Sequence, residues 1–322
     1  MIPTSTSKMK AVIAFIIFCM ILQSCVKKDE LSVPVSATSV QNAETGQIVG
    51  NQQVISVPVT KSGSISLQAL LWLPDEYSQT PKTYPLIIAL HGIGERGTDI
   101  TKLLSGASIA GRIAKGFIPE AINPIDRKLY KFIVVSPQDP NFSCEGYQVR
   151  YMLPALIKKY RIDTTRIYIT GYSAGGRGAW SCVTDDTTLT KRIAALAPIS
   201  AANVENSFWV DGYKILRYQN IPLASTYKIP VWEVCGTDDP YGFWNTALDY
   251  IGRINDAKPI VKAKLTGLNN IGHCGWCYAY NPNWRVDNMN MYEWLLQYRR
   301  VPSYVKQNLV RYFPVFTKPH PK

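Results

Sequence analysis

Gly171-Tyr172-Ser173-Ala174-Gly175 places a serine between two glycines, each two residues away. A serine hydroxyl becomes a useful nucleophile only when a neighbouring base takes its proton and a tight turn holds Oγ clear of the chain. The glycines serve the turn, because a Cβ at either position would crowd a strand-to-helix reversal. A helix starting at Ala174 also aims its N-terminus at the serine, which favours negative charge there. The base is normally histidine, and the chain has three. His320 lies in the last few residues, and His91 precedes the serine. His273, in Asn269-Asn270-Ile271-Gly272-His273, comes after the last predicted strand, as the chain order serine, acid, histidine requires. The acid should follow the strand before that one. There, Cys235-Gly236-Thr237-Asp238-Asp239-Pro240 offers two adjacent carboxylates, and a loop can present either. An acid in this place orients the imidazole and stabilises its charged form without taking the proton.

The elements that must position these residues read as alternating strands and helices. Short apolar runs at 54–59 and 64–73 suit antiparallel edge strands, the second closed by Pro74. Tyr84–Leu90, Phe132–Ser136, Arg166–Thr170, Ile193–Leu196, Ile229–Val234 and Val261–Leu265 are apolar on both faces, as strands buried between helix layers are. Helical stretches are expected at 102–115, 147–160, 174–184, 243–255 and 287–299. This alternation predicts an α/β class with a mostly parallel twisted sheet, helices on both faces and right-handed crossovers. There is no internal repeat and no second alternation, so 53–300 reads as one catalytic domain.

The ends read differently. Lys8 and Lys10 precede twelve apolar residues, Ala11–Leu22, too few for a spanning helix of about 20 but suited to a signal-peptide core. Leu22-Gln23-Ser24-Cys25 resembles the bacterial lipobox, although Gln23 departs from its usual residue. That resemblance implies a signal peptide over 1–24 and a lipidated Cys25 that anchors the chain to a membrane through buried methylenes. Residues 25–52 are then the lipidated cysteine and a flexible tether, with Val26-Lys27-Lys28-Asp29-Glu30 similar to the export signal of surface lipoproteins. The expected location is the cell envelope.

Residues 301–322 form a basic tail. The formal net charge is +12, which invites a nucleic-acid reading. However, Arg299, Arg300, Lys306, Arg311, Lys318 and Lys322 fall after residue 293 with no acid among them, and the remaining surplus is ordinary for a solvated surface. With an export signal and no nucleic-acid module, no nucleic-acid partner is expected. A composition of 46% hydrophobic and 18% charged residues excludes a disordered chain or a multi-span membrane protein.

The run Lys159–Gly176, together with His91-Gly92-Ile93-Gly94-Glu95-Arg96-Gly97 and Gly272-His273-Cys274-Gly275-Trp276, resembles the α/β-hydrolase superfamily. Within it the run is similar to secreted polyhydroxybutyrate-depolymerase-like esterases, feruloyl and acetylxylan esterases, and the so-called predicted peptidases. The resemblance spans roughly 53–300. It implies an α/β-hydrolase fold and ester hydrolysis through an acyl-enzyme, with Ser173 as nucleophile, His273 as base and no metal or organic cofactor. It favours Asp239 as the acid, since G-x-x-D-P resembles the superfamily's acid turn, with Asp238 as the alternative. It assigns the oxyanion hole to the backbone N–H groups of Ile93 and Ala174. His91 then buttresses the loop, and Glu95 and Arg96 are expected to pair and stiffen it, with a place facing the substrate as the alternative.

Two features depart from the pattern: Cys235 stands where many relatives carry histidine, and the segment 200–228 is longer than usual. That segment carries Phe208, Trp209, Tyr213, Tyr218 and Tyr227, which either overhang the site or pack onto the domain. Trp276 and Tyr172 are the candidate substrate-pocket residues. Cys274-Gly275-Trp276-Cys277 suggests a redox motif or half a zinc site, but there is no second pair for zinc and no compact redox domain. A structural role beside His273 is expected, as two thiols or a short disulfide. Five cysteines remain in the mature chain, so at least one is unpaired or bonds to another molecule. The leading function is a serine carboxylic ester hydrolase acting on small-molecule or polysaccharide esters. The alternatives are a serine peptidase of the same fold and a non-catalytic glycan-binding surface lipoprotein.

Overall fold

The computed structural model describes residues 46–300 except 186, 205–207, 211–212 and 216–219. The expected signal segment, Cys25, most of the tether, Tyr218 and the basic tail lie outside the described residues.

Nine strands make the central sheet: β1 (Ile48–Val49), β2 (Gln52–Pro58), β3 (Ser66–Trp72), β4 (Tyr84–Leu90), β5 (Ile133–Pro137), β6 (Ile162–Tyr172), β7 (Ala195–Ile199), β8 (Trp232–Gly236) and β9 (Lys264–Leu268). Their spatial order is β1-β2-β3-β5-β4-β6-β7-β8-β9. The pairs β1/β2, β2/β3 and β3/β5 are antiparallel, and every pair from β5 to β9 is parallel. The carboxyl ends of β4, β6, β8 and β9 therefore open on one edge, where open α/β sheets carry their ligands.

The strands alternate between two cores. In β4, Leu86, Ile88 and Leu90 face one side and Ile87 the other; in β5, Ile133 and Val135 oppose Val134 in the same way. The helices α1 (Ile109–Ala114), α2 (Gly146–Lys159), α3 (Ala174–Thr184), α4 (Phe243–Asp256), α5 (Gly275–Ala279) and α6 (Met291–Leu296) divide between the two faces. α2 supplies Val149, Met152, Leu153 and Leu156 to the first core, a helical stripe at i, i+3, i+4, i+7. α3 and α4 join it with Trp180, Val183, Tyr250 and Ile254. α1, α5 and α6 cover the opposite face with Ile109, Ile113, Ala279, Tyr292 and Leu295.

Several expected boundaries shift for identifiable reasons. The sheet takes in the last residues of the expected tether, because Gly50 (φ 55°) and Asn51 (φ 62°) form a two-residue left-handed turn between β1 and β2. The helix expected over 102–115 is broken at Gly106 (φ 57°); a 3-10 turn, Ile100–Leu104, precedes it, and Ser108 caps α1 by accepting the Gly111 N–H. The last helix starts later than expected, since Asp287 and Asn288 are left-handed and Asn290 builds a capping box with Glu293. β9 lies three residues beyond the run Val261–Leu265, and α5 was not expected at all. In the segment 200–228, Phe208–Val210 and Tyr213–Ile215 pair as a hairpin, while Tyr227 packs partly buried against the first core.

Candidate active site

Ser173 occupies the reversal between β6 and α3 with φ 54° and ψ −118°, a backbone conformation that L side chains rarely adopt. Its N–H donates to Ile199 O (3.0 Å), and its carbonyl accepts from Ala202 N–H (3.0 Å). The flanking glycines are there for close approach. A Cβ on Gly171 would lie 2.2 Å from Gly175 O, and one on Gly175 would lie 2.2 Å from Leu90 O. β6, α3 and the end of β4 are thus pressed together around one half-buried serine.

His273 stands in the loop after β9. Its Nε2 is 2.8 Å from Ser173 Oγ, and its Nδ1 is 2.7 Å from Asp239 Oδ2. An ionised carboxylate can only accept, so Nδ1 carries the proton and Nε2 is left to accept from the serine hydroxyl. The Asp239 side chain is fully buried, and its other oxygen accepts the Tyr241 N–H at 3.0 Å. Asp238 points elsewhere: it is exposed and accepts the Thr237 hydroxyl at 2.9 Å. Of the two aspartates considered, the structure joins Asp239 to the histidine. The acid and histidine loops are tied by Thr237 N–H to Leu268 O (3.0 Å) and Asp238 N–H to Ile271 O (3.1 Å).

Ala174 is the first residue of α3, where N–H groups have no intrahelical acceptor, and Ile93 opens a 3-10 turn, Ile93–Glu95, after Gly92. The loop carrying Ile93 abuts the nucleophile turn, since a Cβ on Gly92 would meet the Tyr172 ring at 2.7 Å. Buried His91 braces it: Nδ1–H donates to Gly92 O (2.7 Å), and Nε2 accepts the Asp139 N–H (3.0 Å). Burial lowers the His91 pKa, which keeps the ring neutral and suited to this double role. Gln138 Nε2 donates to Glu95 O (2.8 Å) and Asp99 O (2.7 Å). Glu95 and Arg96 do not pair with each other; Glu95 accepts from Ser105 Oγ (2.7 Å), and Arg96 donates to Ile93 O (3.0 Å).

No protein-family profile matches the chain, and no curated protein matches it in sequence. Solved structures do match. A thermostable esterase aligns over 79% of this chain with 21% identity and a TM-score of 0.58, and the chain spans only 64% of that esterase's length. A ferulic acid esterase aligns over 76% of this chain and 99% of its own, with 16% identity and a TM-score of 0.53. A mutant of the feruloyl esterase module from Clostridium thermocellum, complexed with sinapinate, aligns over 84% and 96%, with 14% identity and a TM-score of 0.50. The fold is the α/β-hydrolase fold.

Around the triad of this α/β-hydrolase fold the walls are aromatic. His273 is edge-on to Tyr241 (4.8 Å between centroids), Trp276 (5.1 Å) and Phe243 (5.2 Å). Trp276 also lies over Tyr172 at 4.6 Å, so the two expected pocket residues touch each other beside the base. Tyr241 and Phe243 were not expected; the available signal was their place directly after Asp239-Pro240. Burial, with Glu95 beside it, pushes the Tyr172 pKa up, so its phenol stays neutral.

Behind the nucleophile, Arg177 of α3 pairs with Glu145 at 3.0 Å, both buried. Cys274 and Cys277 form a disulfide; Cys144, Cys182 and Cys235 are buried thiols whose pKa values burial raises, that of Cys235 to about 12. None of the three is poised as a nucleophile. Among the described residues no cluster of three or more His, Cys, Asp or Glu side chains is placed to hold a metal ion.

Proposed function

We propose that the chain is a serine carboxylic ester hydrolase that works through an acyl-enzyme on acyl or aryl esters of polysaccharides, or on small esters, at the cell envelope. The observation that carries this reading is the relay Asp239–His273–Ser173, closed at 2.7 and 2.8 Å on a strained nucleophile turn. Ser173 Oγ attacks the ester carbonyl as its proton passes to His273 Nε2. The new oxyanion sits against the N–H groups of Ala174 and Ile93, whose loops are already fixed before substrate arrives. Collapse expels the alcohol, which takes the proton back from Nε2. A water molecule, deprotonated by the same nitrogen, then releases the acid. Asp239 remains ionised and holds the imidazolium while it exists. The aromatic walls suit a planar or sugar-bearing substrate. The lipobox-like Cys25 and the apolar segment before it support an envelope location.

The test is turnover of p-nitrophenyl acetate, methyl ferulate and a peptide anilide by the full chain and by Ser173→Ala. Ester turnover that vanishes in the variant supports the proposal; turnover confined to the anilide would replace it with a peptidase. For the anchor, radiolabelled palmitate should enter the wild-type chain and not Cys25→Ala. Equal labelling of both would remove the lipid attachment from the account.

A further inference from the structure

His273 belongs to no regular element: β9 ends at Leu268 and α5 starts at Gly275. Its ring is therefore placed by what touches it. Asp239 fixes one edge, and the rings of Tyr241, Phe243 and Trp276, steeply inclined to the imidazole at 4.8, 5.2 and 5.1 Å, hem it elsewhere. One of these rings, Trp276, lies inside a covalent loop, because Cys274, directly after the histidine, is bonded to Cys277. The bridge closes a single turn in which Cys277 N–H donates to Cys274 O at 3.1 Å. A helix of five residues opening on glycine does not persist on its own propensity, so the cross-link supplies the order that hydrogen bonding cannot. The turn is held from outside at two further points. Arg112 Nη2 donates to Cys277 O at 2.9 Å, and Gly275 packs so closely on Ser200 that a Cβ there would lie 2.7 Å from its Oγ. From this turn the Trp276 ring reaches both halves of the site. It stands edge-on to His273 at 5.1 Å and lies over Tyr172, the neighbour of Ser173, at 4.6 Å.

We infer that the Cys274–Cys277 disulfide and Trp276 are positioning residues for the triad, which together hold the His273 imidazole in line with Ser173 Oγ. The inference rests on the serine-hydrolase reading above. Proton transfer and attack tolerate little misplacement, and a shift of about 1 Å in a reacting group costs on the order of 100-fold in rate. Opening the bridge consumes two electrons and two protons from a dithiol reductant and leaves two thiols on an unconstrained turn. Trp276 then loses its fixed place between the base and the nucleophile strand. Full turnover therefore requires the oxidised form, which matches an exported protein.

The experiment measures p-nitrophenyl acetate kinetics and the rate of fluorophosphonate labelling of Ser173 on the full chain. Both are followed as isolated, after dithiothreitol, and after re-oxidation, with thiol titration reporting the state of the bridge. Reduction is expected to lower kcat and the labelling rate by about tenfold or more with KM changed little, as loss of alignment rather than of binding predicts. Re-oxidation should restore both. The Cys274→Ser/Cys277→Ser variant should show the lower kcat with or without reductant. Trp276→Phe should keep most of the kcat, and Trp276→Ala should fall to the kcat of the reduced protein. Unchanged kcat and labelling in a chain shown to be reduced would overturn the inference. If reduction also removes the far-UV signal of the fold, equal kcat in Trp276→Phe and Trp276→Ala would overturn it. An oxidised chain with no Ser173-dependent turnover or labelling would instead sink the hydrolase reading, and the inference with it.

Discussion

Asp239 and Asp238 are adjacent in the chain but lie in opposite environments. Asp239 is buried, accepts from His273 and is held by the Tyr241 N–H, whereas Asp238 is exposed. Asp239→Asn should lower kcat by about 10⁴-fold, because the amide favours the wrong imidazole tautomer, while Asp238→Asn should change it by no more than a few-fold. Steady-state ester kinetics of the two variants check this, and the opposite ranking would move the acid to Asp238. That Ser173 and His273 would come together was legible from residue type and chain order alone. The preference for Asp239 over Asp238 rests instead on the likeness of G-x-x-D-P to an acid turn, since residue type does not say which of two adjacent carboxylates a loop turns inward. The ring of Tyr241 escaped for the same reason, since a loop has no period to reveal which side chains face inward, and Phe243 stands at the first position of α4, before a helical stripe can say which way it turns.

At the scale of elements, α3 was readable to the residue, because a glycine turn at the end of a strand starts it. The broken stretch 102–115 and the Gly50-Asn51 hairpin were missed where left-handed residues override the hydrophobic pattern. Gly175→Ala should abolish the folded site, since its Cβ would lie 2.2 Å from Leu90 O, the backbone of a central strand that cannot give way. Thermal unfolding of that variant should show a loss of several kcal/mol, and wild-type Tm would show that the turn is looser than described.

β8 holds a second testable feature. Glu233 is fully buried within it, near the Trp180 indole and the Ala201 backbone but without a well-aligned partner, and burial raises its pKa from 4.5 to about 8. A carboxyl raised in the folded state stabilises fully below pH 4.5, and its contribution is lost as pH rises to about 8. The loss runs at up to about 1.4 kcal/mol per pH unit. Glu233→Gln should flatten the decline of stability over that window. Denaturant titrations from pH 5 to 8 that give parallel curves for both proteins would contradict the buried neutral acid.

The whole molecule brings distant segments to one sheet edge: Ser173 and His273 are 100 residues apart in sequence, yet their side chains meet because β6 and β9 run parallel. Parallel packing between two apolar layers was legible in the doubly apolar runs, and this is why the site was legible too. Arg300 closes the described part of the chain. Its guanidinium donates to Thr190 O, Ile193 O and Tyr227 O, joining the ends of three segments. Arg300→Ala should cost about 2 kcal/mol, lowering Tm by several degrees, while kcat per folded molecule stays unchanged. Calorimetry and active-site titration would check the two halves separately. Among the described residues no helix is long and apolar enough to cross a membrane, and the proposed attachment through a lipidated Cys25 would need none.

The acyl-enzyme is the most direct test of the central claim. The full chain, mixed rapidly with excess p-nitrophenyl acetate and quenched within the first turnover, should release a burst of about one equivalent of nitrophenol, with peptide mapping by mass spectrometry placing one acetyl group on Ser173. Ser173→Ala should show neither burst nor adduct. A burst-free wild type with no acetyl on Ser173, or turnover that survives Ser173→Ala, would contradict the account.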